Sequence, residues 1–123
     1  MILGLGIDTV TISTVEGFLQ NPEYARDIFT EEENELSASA RDYIDFLSGR
    51  FAAKQAINKA LEPLIGCRIE YLDVSVLKNA DGSPLVEFHG ELRKLVKKTG
   101  IREVRVSTTT EGDAATAIAI AQD

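Results

Sequence analysis

Residues 49–56 read Gly-Arg-Phe-Ala-Ala-Lys-Gln-Ala and lie inside the longest helical pattern of the chain. Between residues 41 and 61, apolar side chains return at spacings of three and four, with alanines between them. This spacing predicts a helix with one apolar face. Pro63 and Gly66 follow the pattern and predict the end of the helix.

Five segments outside this helix are apolar or rich in β-branched residues, which predicts strands. They are residues 1–7, 71–77, 85–88, 104–106 and 115–121. The turn-forming residues 79–84 predict a hairpin between the second and third strands. Residues 108–113 are predicted to connect the last two strands.

Further helices are predicted from capping residues and breakers. Ser13 can cap a helix that ends near Asn21 and Pro22, and Thr30 precedes three glutamates that suit a second helix start. Residues 90–98 form a short polar helix pattern closed by Gly100. The order of elements predicts an α+β fold with a mainly antiparallel sheet and one long helix.

Composition limits the class of protein. The chain has 123 residues, 44% of them hydrophobic, and we expect one domain over residues 1–123. A net charge of −7 disfavours nucleic acid, whose binding depends on neutralised phosphates. No apolar run reaches the roughly 20 residues that span a bilayer, and no signal peptide is recognisable. The single cysteine, Cys67, cannot form an internal disulfide, so we expect a cytoplasmic protein. From the charge and the short apolar runs we expect it to bind neither nucleic acid nor membranes.

Asp8 is the first candidate site residue. It follows the apolar residues 1–7, so a strand is predicted to carry this carboxylate at its end. One or two carboxylates can hold Mg²⁺ when substrate phosphates complete the octahedron. The alternative interpretation is an aspartate that caps a helix or a turn.

Cations on the long helix are the second candidate group. Arg50 and Lys54 lie four residues apart and share one helix face, and Gln55 and Lys59 share a neighbouring face. Three cations on one helix can bind phosphates. The alternative is that they form the solvated side of an amphipathic helix.

The chain resembles the holo-acyl-carrier-protein synthases, which transfer 4′-phosphopantetheine from coenzyme A to a serine of an acyl carrier protein. The matching motifs are Gly6-Ile-Asp8, Gly49-Arg-Phe-Ala-Ala-Lys54 and Gly82-Ser-Pro84, in the order and spacing of that family. The resemblance extends over nearly the whole chain. It implies a homotrimer with coenzyme A bound between adjacent subunits, Mg²⁺ as cofactor and an acyl carrier protein as partner.

The resemblance also implies roles for individual residues. Asp8 matches a magnesium ligand, and Gln55 matches the glutamate that is the second carboxylate at the metal. Lys54 and Lys59 match basic residues near the nucleotide phosphates, where Arg50 is also expected. The walls around the nucleotide are matched by a turn containing Gly82, Ser83 and Pro84 and by residues 108–111 of a neighbouring subunit, which include Thr110 and Glu111.

Two positions depart from the family pattern. Gln55 retains one carbonyl oxygen but lacks the negative charge of glutamate, so we expect weaker metal binding. Thr110 replaces a histidine, and a hydroxyl supplies only a neutral hydrogen bond to a phosphate. Glu111 keeps the acidic character of the next position.

Docking of an acidic carrier protein requires exposed cations. Residues 13–24 contain no lysine or arginine, so Arg26 and Arg41 are the candidates. The larger basic group on residues 93–98 is interpreted as a solvated helix face, and His89 as a surface residue.

Three functions follow from the sequence. The first is a working transferase in which Asp8, Glu111 and phosphate oxygens hold Mg²⁺, Gln55 is a neutral ligand, and Lys54 and Lys59 orient the phosphates. The second is a relative that binds a carrier protein, a pantetheine thioester or a nucleotide without transferring the group. The third is a structural trimer.

Overall fold

The computed structural model describes residues 1–123 and has ten regular elements in an α+β arrangement. They are β1 Ile2–Thr11, α1 Ile12–Leu19, α2 Pro22–Ile28, α3 Glu31–Ala38, α4 Tyr43–Ile65, β2 Val74–Lys78, β3 Pro84–Phe88, α5 Gly90–Lys98, β4 Glu103–Glu111 and β5 Ala114–Gln122. A 3-10 turn at Tyr71–Asp73 precedes β2. The predicted α+β class is confirmed.

Two antiparallel sheets make up the strand layer. One has the order β1-β5-β4, and the other is the predicted hairpin of β2 and β3. In the larger sheet, Asp8 pairs with Ala117, which pairs on its other side with Thr108. This register places Asp8 two strands away from Thr108.

Helix α4 lies directly on β1 and β5 because the residues between them are small. A Cβ atom on Gly4 would overlap the carbonyl oxygen of Ala60, and one on Gly6 would overlap that of Ala56. From β5, four buried alanines face the helix: Ala115, Ala117, Ala119 and Ala121. The close approach holds α4 against the inward-facing side of β1, where Asp8 also lies.

Two strands are longer than the sequence predicts. Strand β1 continues past Asp8 to Thr11, paired with Ala114, so Asp8 lies within the strand rather than at its end. Strand β4 continues through residues 108–111, which were predicted as a connection. Threonines are good strand formers, and pairing with β5 supplies hydrogen bonds that the local pattern does not reveal.

Helix boundaries differ from the prediction at three places. Pro22 begins α2 instead of only ending α1, since Asn21 accepts a hydrogen bond from the amide of Glu23 and proline suits the first helical position. Ser13 lies in the first turn of α1, where it donates to Asp113 Oδ2 at 2.6 Å instead of capping the helix. Helix α4 continues past Pro63 to Ile65.

Other terminal signals agree with the structure. Thr30 caps α3 in a capping box with Glu33, and α5 spans Gly90–Lys98 as predicted. Gly66 ends α4 with a φ of 77°, a left-handed conformation that favours glycine.

The face of the larger sheet opposite α4 carries exposed apolar side chains. Leu5 is 64% exposed, Ile7 56% and Ile118 41%, and Ile7 is directly paired with Ile118. We call Leu5, Ile7 and Ile118 the outer apolar face.

None of the helices has the length and apolar character that crossing a lipid bilayer requires.

Candidate active site

Asp8 and Lys59 meet where β1 crosses α4. Because side chains alternate along a strand, Asp8 faces the same side as Gly6, toward the helix. Lys59 Nζ donates to Asp8 Oδ1 at 3.1 Å and to the carbonyl oxygen of Ile7 at 3.2 Å. The Asp8 side chain is 20% exposed and that of Lys59 57%, so the ion pair is open to solvent. These two residues form the centre of the candidate site.

Gln55 lies one helical turn before Lys59. Both line an open cavity of about 240 Å³ beside the α4 surface, with Asn58, Glu62, Arg68, Ile69, Glu70 and Tyr71. From Gly4 to Gly6 the contact of β1 with α4 moves from Ala60 toward Ala56. Asp8 is the next inward residue of β1, and it meets this side of α4 through its ion pair with Lys59.

Asn58 is a cavity residue that the sequence motifs did not single out. Its Nδ2 donates to the carbonyl oxygen of Ile69 at 3.2 Å, while its buried Oδ1 has no hydrogen-bond partner. An unpaired buried acceptor is costly unless a ligand or water supplies a donor. In the sequence, the only indication was that Asn58 lies three residues after Gln55, so both lie on the same side of the helix.

The donor set at Asp8 fits Mg²⁺ only with help from a ligand. The carboxylate of Asp8 and the amide oxygen of Gln55 are both oxygen donors, which Mg²⁺ prefers. Within one chain, however, no group of three or more histidine, cysteine or carboxylate side chains could hold a metal. Asp8 and Gln55 would therefore hold the ion together with phosphate oxygens.

Lys54 does not face this cavity, which corrects the expectation that it binds phosphate. Its side chain is completely buried and its Nζ lies 2.7 Å from Glu33 Oε1, also completely buried. The ammonium also donates to the carbonyl oxygens of Ile28 at 2.6 Å and Tyr71 at 2.9 Å. Burial lowers the pKa of Lys54, and the Glu33 carboxylate opposes that change. Within this chain Lys54 joins α4 to α3 and to the segment before β2.

Glu33 is an essential partner that sequence reasoning missed. Its two carboxylate oxygens accept from the amides of Thr30 and Val76, both at 2.8 Å, as well as from Lys54. The capping box predicted its helix position but not its burial. Glu33 is one of three glutamates in the first turn of α3, and nothing in this local sequence indicates that Lys54 of α4 neutralises it.

Arg50 is also turned inward, contrary to the prediction of a phosphate ligand. It is 7% exposed, its guanidinium lies 4.3 Å from the centre of the Phe46 ring, and one nitrogen donates to the carbonyl oxygen of Leu77 at 3.1 Å. Burial lowers the pKa of Arg50, with Glu33 opposing the change. The face of α4 that carries Arg50 and Lys54 therefore packs against the protein, and the neighbouring face with Gln55 and Lys59 is open.

Glu111 and Thr110 lie away from Asp8 in the same chain. Asp8 and Thr108 are separated by two strand spacings of about 4.8 Å each, and Thr110 is two residues further along β4. By strand alternation, Glu111 points to the face opposite α4, so it cannot join Asp8 at one metal within a single chain. The predicted metal set of Asp8 and Glu111 therefore requires Glu111 from another subunit.

The turn with Gly82, Ser83 and Pro84 is also remote from Asp8 within the chain. Ser83 and Pro84 line a larger open cavity of about 890 Å³ between β3, α5 and β4. Asp81 Oδ1 accepts from the amide and hydroxyl of Ser83 at 2.9 and 2.6 Å, and these bonds lower the pKa of Asp81. The turn is thus internally ordered but does not complete the Asp8 site in one chain.

His89 is half-buried, which corrects its interpretation as a surface residue. Its Nε2 lies 2.7 Å from the Oγ of the buried Ser75, and Ser75 donates to Thr30 Oγ1 at 3.0 Å. His89 therefore helps hold the β2–β3 hairpin next to α3.

Comparisons with known proteins agree with this fold. Residues 4–119 match the family model of the 4′-phosphopantetheinyl transferase superfamily. A holo-[acyl-carrier-protein] synthase from Treponema denticola is 38% identical over 122 residues, covering 98% of each chain. The crystal structure of a holo-[acyl-carrier-protein] synthase from Neisseria meningitidis is 28% identical, with a TM-score of 0.89 over 100% of both chains.

A second similar structure contains a ligand. It is an ACPS–CoA complex from Chronobacterium ammoniagenes, with 25% identity and a TM-score of 0.81 over 97% of this chain and 96% of that one. The family match covers nearly the whole of the present chain, and the resemblance predicted from its motifs is confirmed. This protein belongs to the 4′-phosphopantetheinyl transferase superfamily.

Proposed function

We propose that this protein transfers 4′-phosphopantetheine from coenzyme A to a serine of an acyl carrier protein. The observation that carries the proposal is the open Asp8–Lys59 pair beside Gln55, on a fold that matches a coenzyme A complex over nearly its full length. The Lys59 ammonium suits direct binding of a diphosphate. The Asp8 carboxylate paired with it suits binding of the diphosphate through a divalent cation.

In this reaction the carrier serine oxygen attacks the phosphorus that bears the pantetheine group. The bond from that phosphorus to the bridging oxygen breaks, 3′,5′-ADP leaves with the electron pair, and the serine proton passes to solvent or a base. Lys59 holds a phosphate oxygen and opposes the charge that develops on the leaving group. Asp8 and the Gln55 amide would hold Mg²⁺, which neutralises diphosphate charge when bound.

We further propose that the working unit is a homotrimer with its sites between subunits. The outer apolar face supports an oligomer because it leaves Leu5, Ile7 and Ile118 exposed in a single chain. The position of Thr110, Glu111 and the 81–84 turn supports shared sites, since these residues lie apart from Asp8 in one chain and can reach it only from a neighbour. A cytoplasmic location follows from these substrates.

A second function is favoured by Gln55 and Thr110. Both positions lack a charge that the family pattern supplies, so the protein could bind coenzyme A or a carrier protein without transferring the group. This alternative keeps the same cavity and the same oligomer. It differs only in the chemical step.

Intact-mass spectrometry distinguishes the two functions. The protein is incubated with an apo acyl carrier protein, coenzyme A and Mg²⁺, and the carrier is examined for one added phosphopantetheine. Asp8→Asn is expected to lower the rate strongly, whereas Glu35→Gln, an exposed carboxylate on α3, serves as the matched control. Absence of addition at high enzyme concentration, with coenzyme A still bound, would establish the binding-only alternative.

A further inference from the structure

The carboxylate of Asp8 already has a cation in the free protein. Lys59 Nζ lies 3.1 Å from Asp8 Oδ1 and is held in place by a second hydrogen bond to the carbonyl oxygen of Ile7. Gln55 adds a dipole but no charge. The Asp8 and Lys59 charges therefore cancel, so a divalent cation arriving alone meets a carboxylate that Lys59 already neutralises.

Other charges at the cavity do not replace the missing carboxylate. Glu62 Oε2 accepts from the amide of Ile69 at 2.8 Å, so this carboxylate is already engaged at the far side of the cavity. Arg68 adds a positive charge and Glu70 a negative charge to the same cavity, so these two charges offset each other. A metal ion at Asp8 thus has to compete with the Lys59 ammonium, which engages Oδ1, or bring its own anion.

A diphosphate can both draw Lys59 away from Asp8 and supply the metal with anionic oxygens. Its oxygens offer Lys59 an alternative acceptor and offer the metal the ligands that Gln55 supplies only weakly. The exchange costs little, because a solvent-exposed ion pair contributes little to stability. The 57% exposed Lys59 side chain has room to move while its backbone stays fixed on α4.

We propose that Lys59 is a positioning residue that occupies Asp8 until a diphosphate arrives, so that divalent-cation binding and coenzyme A binding depend on each other. Lys59 then transfers from Asp8 to a phosphate oxygen, and Asp8 becomes free for the metal. This inference rests on the proposed function for the identity of the diphosphate. It predicts positive coupling, which by linkage is the same whichever ligand binds first.

The coupling is measured without turnover. Mn²⁺ binding is followed by electron paramagnetic resonance, with and without saturating coenzyme A, and a protein-free titration corrects for Mn²⁺ held by coenzyme A in solution. For the unmodified protein we expect coenzyme A to raise the Mn²⁺ affinity by at least about tenfold, within the usual range of coupling between sites.

Two variants test the role of Lys59. Lys59→Met removes the competing cation, so Mn²⁺ alone binds more tightly, coenzyme A binds more weakly, and the coupling falls. Gln55→Glu adds a carboxylate, so Mn²⁺ alone also binds more tightly, while Lys59 is still present to bind the phosphates. Lys94→Met is the matched control, since Lys94 is exposed and pairs only with Glu91 on its own helix.

Some outcomes overturn the proposal. Equal Mn²⁺ affinity with and without coenzyme A refutes the coupling, and unchanged Mn²⁺ affinity in Lys59→Met refutes the competition at Asp8. The coupling does not depend on transfer, so it is also expected in the binding-only alternative. If instead the protein has no coenzyme A site, coenzyme A does not bind at all. In that case the Mn²⁺ titration of Lys59→Met still decides whether Lys59 blocks Asp8.

Discussion

Replacing Lys54 with methionine should destabilise the protein strongly, because the buried Glu33 carboxylate then loses its counter-ion. Breaking one side of a buried pair costs about 3–5 kcal/mol. The Lys54 ammonium also satisfies the carbonyl oxygens of Ile28 and Tyr71, and each unsatisfied buried acceptor costs about 1–3 kcal/mol. We expect a total loss of at least about 5 kcal/mol, the lower end of the sum of these contributions, against the roughly 5–15 kcal/mol by which domains are stable.

The assay is urea unfolding at one fixed protein concentration, with thermal melting alongside it. For a chain of this length, 5 kcal/mol corresponds to a fall in melting temperature of roughly 20 °C. Lys59→Met is the matched control, since its exposed pair with Asp8 contributes no more than about 1 kcal/mol. The double variant Glu33→Gln with Lys54→Met should be more stable than Lys54→Met alone, because it removes the uncompensated charge.

The opposite pattern would refute this reasoning. If Lys54→Met unfolds like the unmodified protein but loses affinity for coenzyme A, Lys54 is a phosphate ligand and the ion pair with Glu33 is not structural. A double variant whose loss equals the sum of the two single losses would show that Glu33 and Lys54 are not energetically coupled.

Further predictions concern packing, assembly and docking. Gly6→Ala should cost about 1–3 kcal/mol in urea unfolding, because the new methyl group overlaps the backbone of Ala56; unchanged stability would contradict the close contact. Ile118→Lys should convert the assembly to monomers in sedimentation velocity, and an unaffected trimer would place the interface elsewhere. Arg26→Glu with Arg41→Glu should lower the kcat/KM for the carrier protein at low salt by about tenfold, with the difference shrinking as salt is added. An equal effect from Lys98→Glu would move the docking surface to α5.

Several elements follow from local rules and can be predicted from the sequence. The β2–β3 hairpin depends on the turn formers at residues 79–84, and α5 depends on its own periodicity and on Gly100. The start of α3 depends on Thr30 and Glu33. The family motifs also predict Asp8 and Lys59 as residues of one site, and in the structure their side chains form a hydrogen bond.

Other features depend on partners distant in the chain. The extension of β1 to Thr11 and of β4 to Glu111 comes from pairing with β5, whose effect a local pattern does not contain. The half-buried position of His89 comes from its hydrogen bond to Ser75 on the opposite strand of the hairpin.

The helix around residues 49–56 shows which features the sequence determines and which only the tertiary structure decides. Its sequence alone determines that Arg50 and Lys54 share one face and that Gln55 and Lys59 share the next, because this follows from 3.6 residues per turn. Only the tertiary structure decides that the first face is buried and the second is open. The physical reason is that Glu33, from another helix, makes burial of Lys54 possible, while the backbone at Gly6 brings β1 close enough for Asp8 to meet Lys59.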